Sequence, residues 1–460
     1  MMPKALHNLY TLFSACCILV VGLSCKTAVN QPNQPLQQRD TADVTVTVQT
    51  DHPLLSSNLK LGVTYMQYNL NPWGDADAIA RGKALLQDRF TYHAQHIFGF
   101  GVGSPEPLPG DYHWVDLDSR MALAEELGGT PVITLATAPT WMTDPDWEPG
   151  LYPDETDWSK IERAPLPEHV DAFASLCARI AARYPQVTYF QVWNELKGMW
   201  HPTENRWDYE RYTALYNTVY DSVKHVRPDA QLGGPYVVMD TWKNPSGDMI
   251  SDIQSPEYGT LDKRVMDVVT YWLRHRHGGE FLVVDGGVKP KDANDLDPIQ
   301  ATKKFHDVSL WLKSQTTLPL WWAEDYVNMT SDMAGDTLRQ APALACMLAY
   351  YTLAGVDVSL RWAPEAQGDK NEMNLFSSTQ GADGGRPFNN YFVYRDFGRH
   401  FPVGTPIYAA AVSKPAEIMV LASDSAMMLV NKVGQEKSVS INGSETFTLQ
   451  PYQVFFGDLP

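Results

Sequence analysis

At 460 residues, 44% hydrophobic and 20% charged, the chain has room for one large globular domain and a smaller one, and such a composition excludes a disordered protein. A formal net charge of −18 argues against nucleic acid or an anionic membrane surface as partner. Fourteen Trp and 22 Tyr supply flat apolar faces with polar handles, suited to a core or to stacking on sugars.

The chain begins as an exported protein would. Lys4 precedes a mostly apolar run at 9–23, and small residues lead to Cys25, so residues 1–25 read as a signal peptide. The run is too short for a membrane span. The stretch VGLSC at 21–25 resembles a bacterial lipoprotein cleavage box, with its leucine one place too close to the cysteine. A lipid anchor through Cys25 and plain cleavage both stand. The destination expected is the periplasm, the outer membrane or the exterior. Residues 26–42, rich in Gln, Asn and Pro, read as a flexible tether.

Cys16, Cys17 and Cys25 fall in the leader, while Cys177 and Cys346 sit in helix-like apolar runs and are expected to be separate buried thiols. No zinc-type spacing occurs, and no metal or cofactor is expected.

Residues 43–58 carry alternating Val and Thr at 44–48, a period-two strand expected to join a β-domain. Strand-like runs then recur at 61–65, 94–100, 131–136, 187–193, 231–234, 281–284, 318–323 and 356–361. Helical patterns lie between them, at 75–87, 117–127, 168–184, 207–226, 261–277, 301–315 and 337–353. Eight alternations over 59–404 predict a closed (β/α)8 TIM barrel. A doubly wound sheet lacks its Gly-rich turn here. From Thr405 the text changes to short strand-like runs with tight turns at Gly434 and Asn442-Gly443. Residues 405–460 are thus expected to form a small antiparallel, sandwich-like β-domain.

Two strand ends carry chemistry. The fourth closes on Trp193-Asn194-Glu195 and the seventh on Glu324-Asp325-Tyr326. All strands of a barrel open their C-terminal ends onto one face, so both glutamates can share a pocket. Paired carboxyls are what glycoside hydrolysis needs: one protonates the leaving oxygen, the other attacks or activates water. Environment must push their pKa values apart. Asn194 can donate to a sugar hydroxyl. Asp325 and Glu365 compete with Glu324 for the second role, and Asp285 reads as a turn former or pocket acceptor.

Rim aromatics Trp141, Trp147, Trp158, Trp200, Trp207, Trp242 and Trp362 suit sugar stacking or loop closure. His201 is either a sugar contact or a surface histidine. Lys197, Lys243 and Arg361 suit an anionic sugar or simple solvation. His275-Arg276-His277 closes a helix, where cations complement the dipole, and is no metal site.

The WNE at 193–195 and the Glu at 324 resemble the clan A glycoside hydrolases, most closely family 39, the β-xylosidase-type family. YHWVDLD at 112–118, PVITLATAPTWM at 131–142, QLGGP at 231–235 and the trailing β-domain add to the likeness. The resemblance implies a carbohydrate substrate and cleavage of β-linked sugars with retention. It implies Glu195 as acid/base, Glu324 as nucleophile, Asn194 on the 2-hydroxyl and Trp362 in the pocket. Trp141, His201, Asp285 and Tyr326 complete the expected substrate-binding set. Three positions depart from the family pattern. Leu196 stands where proline is usual, Asp325-Tyr326 follows Glu324, and strand six ends in Asp285-Gly286-Gly287 in place of His or Tyr. A non-catalytic carbohydrate-binding barrel and a barrel enzyme of unrelated chemistry stay open, since barrels host many reactions.

Overall fold

The computed structural model describes residues 37–38, 42–149, 157–327, 337–368, 373–444 and 446–459. The expected signal segment, Cys25 and most of the tether lie outside them. Among the described residues, no helix is long and apolar enough to cross a membrane.

Eight parallel strands close into a barrel: β1 (Lys60–Thr64), β2 (Tyr92–His96), β3 (Thr130–Leu135), β4 (Tyr189–Val192), β5 (Gln231–Val238), β6 (Phe281–Gly287), β7 (Leu320–Tyr326) and β8 (Val358–Trp362). β8 pairs with β1 and β4 with β5, so the ring has no open edge. One long helix packs outside after each strand: α1 (Ala76–Leu86), α2 (Val115–Glu126), α3 (Val170–Arg183), α4 (Tyr209–Val226), α5 (Lys263–His275), α6 (Lys303–Gln315), α7 (Thr337–Leu353) and α8 (Asn389–His400). The expected (β/α)8 TIM barrel is the observed one.

Differences from the sequence expectation have local causes. β2 ends at His96, not at 100, because Gly99 and Gly101 take φ values of 67° and 86°, which an extended strand cannot use. α8 went unforeseen, since its aromatic text (NNYFVYRDFGRH) reads as strand on propensity alone. Its buried face, Tyr391, Val393, Tyr394 and Phe397, shows tertiary packing deciding the outcome.

The bottom of the barrel is plugged with rings. Tyr92, Tyr189 and Phe281, from β2, β4 and β6, surround Trp321 of β7 at centroid distances of 4.8, 5.1 and 4.4 Å. Layers built from alternate strands are how such barrels fill their interior. The polar cluster described below sits on this apolar floor.

Two further sheets lie at the chain ends. One orders Gln37–Gln38, Thr446–Leu449, Lys437–Ile441, Val44–Gln49 and Ala409–Val412. The other orders Ile418–Ala422, Ala426–Asn431 and Val454–Asp458. In Val44–Gln49 the valines are buried and the alternate residues exposed, and Val44, Val46 and Val48 share a core with Ile418, Val420, Met427 and Leu429. Gln37–Gln38, read as tether, instead pairs with Phe447 and Thr448, because the unpaired edge of that strand offers free backbone groups.

Candidate active site

The site is assembled from strand ends that depart from regular geometry. In β7, Trp321 and Ala323 face the barrel interior, while the Trp322 indole donates to Ser309 Oγ on α6 at 3.0 Å. Strict alternation would send Glu324 outward too. Instead the pairing with β6 and β8 shifts register at this point, a bulge of the kind that re-aims a side chain. Glu324 turns inward, and Asp325 turns to Arg361 and Ser359 at 3.1 and 2.5 Å. At the end of β4, Trp193, Glu195 and Leu196 all take positive φ (67°, 50° and 50°). Such strain in non-glycine residues concentrates at functional sites. Trp193 holds the turn by burying its ring on Phe173 of α3 and donating to Lys197 O at 3.0 Å.

These bends bring three carboxyls together. One oxygen each from Glu195, Asp285 and Glu324 lies within 4.8 Å of the other two. Glu324 is 2% exposed and accepts from two hydroxyls, Tyr236 at 2.6 Å and Tyr326. His96 Nε2 stands 3.9 Å from it. Glu195 is ion-paired to Lys197 at 2.7 Å, and Lys197 also holds Glu162 at 2.8 Å. Asp285 is fully buried, and among the described residues no N–H or hydroxyl donates to it; its hydrogen-bond partner is the Glu195 carboxyl. A divalent cation would accept such spacing, but the Lys197 ammonium and two tyrosine hydroxyls already occupy Glu195 and Glu324, so no metal is assigned.

Three carboxyls this close cannot all ionise. Burial, then the charge of Glu195, raises the Glu324 pKa to about 8, against the pull of the Tyr236 and Tyr326 hydroxyls. Burial, then Glu195 and Glu324, pushes Asp285 well above the carboxylate range. Burial, the largest influence, would raise Glu195 as well, but the Lys197 charge and hydrogen bonds from Asp285 and Lys197 together hold the carboxyl below its usual value. Burial lowers His96 to about 3, so its imidazole is neutral. These directions favour the anion on Glu195 and the proton on Asp285 and Glu324.

No protein-family model and no curated protein sequence matches the chain. Solved structures match over most of its length. A conserved exported protein from Bacteroides fragilis superposes with a TM-score of 0.62 at 11% identity, over 90% of this chain and 98% of that one. A GH39 β-xylosidase from Caulobacter crescentus gives 0.55 at 14%, covering 86% and 83%. A GH30 endoxylanase from Clostridium papyrosolvens gives 0.53 at 10%, covering 91% and 100%. The chain shares its barrel fold with these proteins. At these identities the likeness is one of fold.

Of the residues expected from sequence, Glu195, Glu324, Asp285 and Tyr326 meet in one cluster. Asn194 is 2% exposed, beside His96 and next to Glu195 in the chain. Trp362 stands edge-on to His96 at 6.1 Å and 6.4 Å from Tyr326. Two others make their contacts with loop residues. Trp141 is 7% exposed, donates to Glu106 O at 2.9 Å and packs on His169 and Trp147. His201 lies on the hairpin of Trp200–His201 with Arg206–Trp207, its Nε2 3.9 Å from Glu204.

The cations have partners of their own. Lys243 pairs with Asp295, and Arg361 is 1% exposed against Asp325. Glu365 accepts from Leu70 N and Thr379 N, which makes it a loop fastener. His96 and Tyr236 escaped the sequence reading. Their only signal was position, at the ends of the second and fifth strands.

Proposed function

We propose that the protein is a retaining β-glycoside hydrolase acting on β-linked poly- or oligosaccharides by double displacement. The observation that carries this is the approach of Glu195 and Glu324 within 4.8 Å across the barrel mouth. Retention works with carboxyls about 5 Å apart, whereas inversion needs roughly 6.5–9.5 Å to admit water. Glu324, with its two tyrosine donors, is the nucleophile that forms the glycosyl-enzyme. Glu195 protonates the leaving oxygen and then, as base, activates water. Asn194 and Trp362 are the substrate contacts nearest the cluster, and the fold shared with GH39 and GH30 enzymes agrees with a carbohydrate substrate. We read the protein as exported, on its leader-like N-terminus and the fold it shares with an exported protein, with Cys25 as a lipid anchor where lipidation occurs.

Wild type, Glu195→Ala and Glu324→Ala are to be assayed on aryl β-glycosides and plant or algal polysaccharides, with the first-formed anomer followed by NMR. Retention by wild type and loss in both variants is expected, with azide restoring turnover to Glu195→Ala. Full activity of Glu324→Ala, or inversion by wild type, would sink the assignment.

A further inference from the structure

Asp285 is the member of the cluster with no place in double displacement. It stands on β6, in register with Glu324 on β7, on the stretch of wall between β4 and β7. Both its oxygens are buried with no N–H or hydroxyl donor among the described residues, and the carboxyl comes within 4.8 Å of both Glu195, its hydrogen-bond partner, and Glu324. A buried carboxyl without donors is unstable as an anion and holds a proton instead. The groups facing it are Glu195, Glu324 and Asp240, the ammonium of Lys304 and the hydroxyls of Tyr236, Tyr326 and Tyr351. Lys304 is committed elsewhere, donating to Gly287 O at 2.5 Å, and the two nearer tyrosines donate to Glu324.

The resting arrangement is the wrong one for retention. The Lys197 ammonium stabilises Glu195 as an anion, while Glu324, which must attack as an anion, lies buried beside that charge.

We propose that Asp285 is a proton relay between Glu324 and Glu195, an inference that rests on the glycoside-hydrolase reading. The hydroxyl proton of Glu324 passes to one oxygen of Asp285 as the proton on its other oxygen passes to Glu195. Glu324 becomes the carboxylate and Glu195 the acid. Asp285 is neutral before and after, and no charge enters or leaves the pocket. Rotation of the Asp285 carboxyl closes the remaining gap to hydrogen-bond distance. Lys197 is not stranded when Glu195 is neutralised, because it keeps Glu162 at 2.8 Å. Asp285 is thus a positioning residue, acting through the two glutamates, at a strand end where the family pattern has His or Tyr.

The test compares wild type, Asp285→Asn and Asp285→Glu on an alkyl β-glycoside, which needs acid assistance, and a dinitrophenyl β-glycoside, which does not. An amide cannot pass a proton on. Asp285→Asn is expected to lose about 10²-fold in kcat on both substrates, because without the relay Glu324 keeps the proton it must lose to attack either one, with KM little changed. Its kcat/KM pH profile shifts, and Asp285→Glu recovers part of the loss. An undiminished kcat on the dinitrophenyl substrate, or a wild-type pH profile in Asp285→Asn, overturns the relay. A wild type inactive on every glycoside overturns the enzyme reading and the relay together. Infrared spectra of wild type labelled with ¹³C-aspartate give a readout independent of folding defects and turnover. A protonated Asp carboxyl at pH 7 is expected, and its absence overturns the relay.

Discussion

Lys197 Nζ lies 2.7 Å from Glu195 Oε2, so the acid/base of the proposed reaction rests as half of an ion pair. The pair is only partly exposed, at 20% and 22% for the two side chains, and solvent screens it little. An opposite charge this near lowers a carboxyl pKa by about 1–3 units. Lys197→Met is therefore expected to move the acid limb of kcat/KM upward by about one unit. Rate measurements from pH 4 to 9 decide it, and an unmoved acid limb removes Lys197 from the proton balance.

Tyr236 Oη donates to Glu324 at 2.6 Å from a residue held at a φ of 49°. A hydrogen bond to a charged group contributes about 1.5–3 kcal/mol, and this one favours the anion that attacks. Tyr236→Phe is expected to lower kcat roughly 10–100-fold and to push the alkaline limb higher, because the lost donor was pulling the Glu324 pKa down. Unchanged kcat with a raised KM would recast Tyr236 as a substrate contact.

The pKa of Glu324, raised to about 8, also makes a stability prediction. Between its ordinary value near 4.5 and 8 the folded state holds a proton that the unfolded chain releases. Stability is thus present at low pH and lost as pH rises through that window, with a slope of at most ~1.4 kcal/mol per pH unit. Urea midpoints at pH 5 and 8 should differ less in Glu324→Gln than in wild type. Equal slopes would mean that Glu324 is ionised in the resting fold.

The sequence carried the barrel well because its signal is periodic: apolar strands alternating with amphipathic helices leave little choice of topology. It also carried Glu195 and Glu324, since strand ends and WNE are local features. What it could not carry was contact across the chain. His96 and Tyr236 reach the pocket from strands 2 and 5, and only closure of the barrel brings them to Glu324. Lys197 looked like a loop cation until Glu162, 35 residues away, came to share it. The inward turn of Glu324 depends on a bulge that no periodicity announces, since strict alternation predicts the reverse. Trp141 was read for its residue type alone, and its contact with His169 again comes from a distant part of the chain.

The ring cluster beneath the pocket supplies the last prediction. Trp321 touches Tyr92, Tyr189 and Phe281 with centroids between 4.4 and 5.1 Å, and it sits three residues below Glu324 on the same strand. Removing it leaves a large cavity that strands tied into a closed ring cannot collapse to fill. Trp321→Ala is expected to cost about 3–5 kcal/mol. Trp200 is the control, because its ring is 41% exposed on the rim and Trp200→Ala should cost less than about 1 kcal/mol. Urea denaturation of both variants makes the comparison. If the two losses are alike, the rings do not hold the barrel floor, and the position of Glu324 must be fixed from above by Tyr236 and Tyr326 alone.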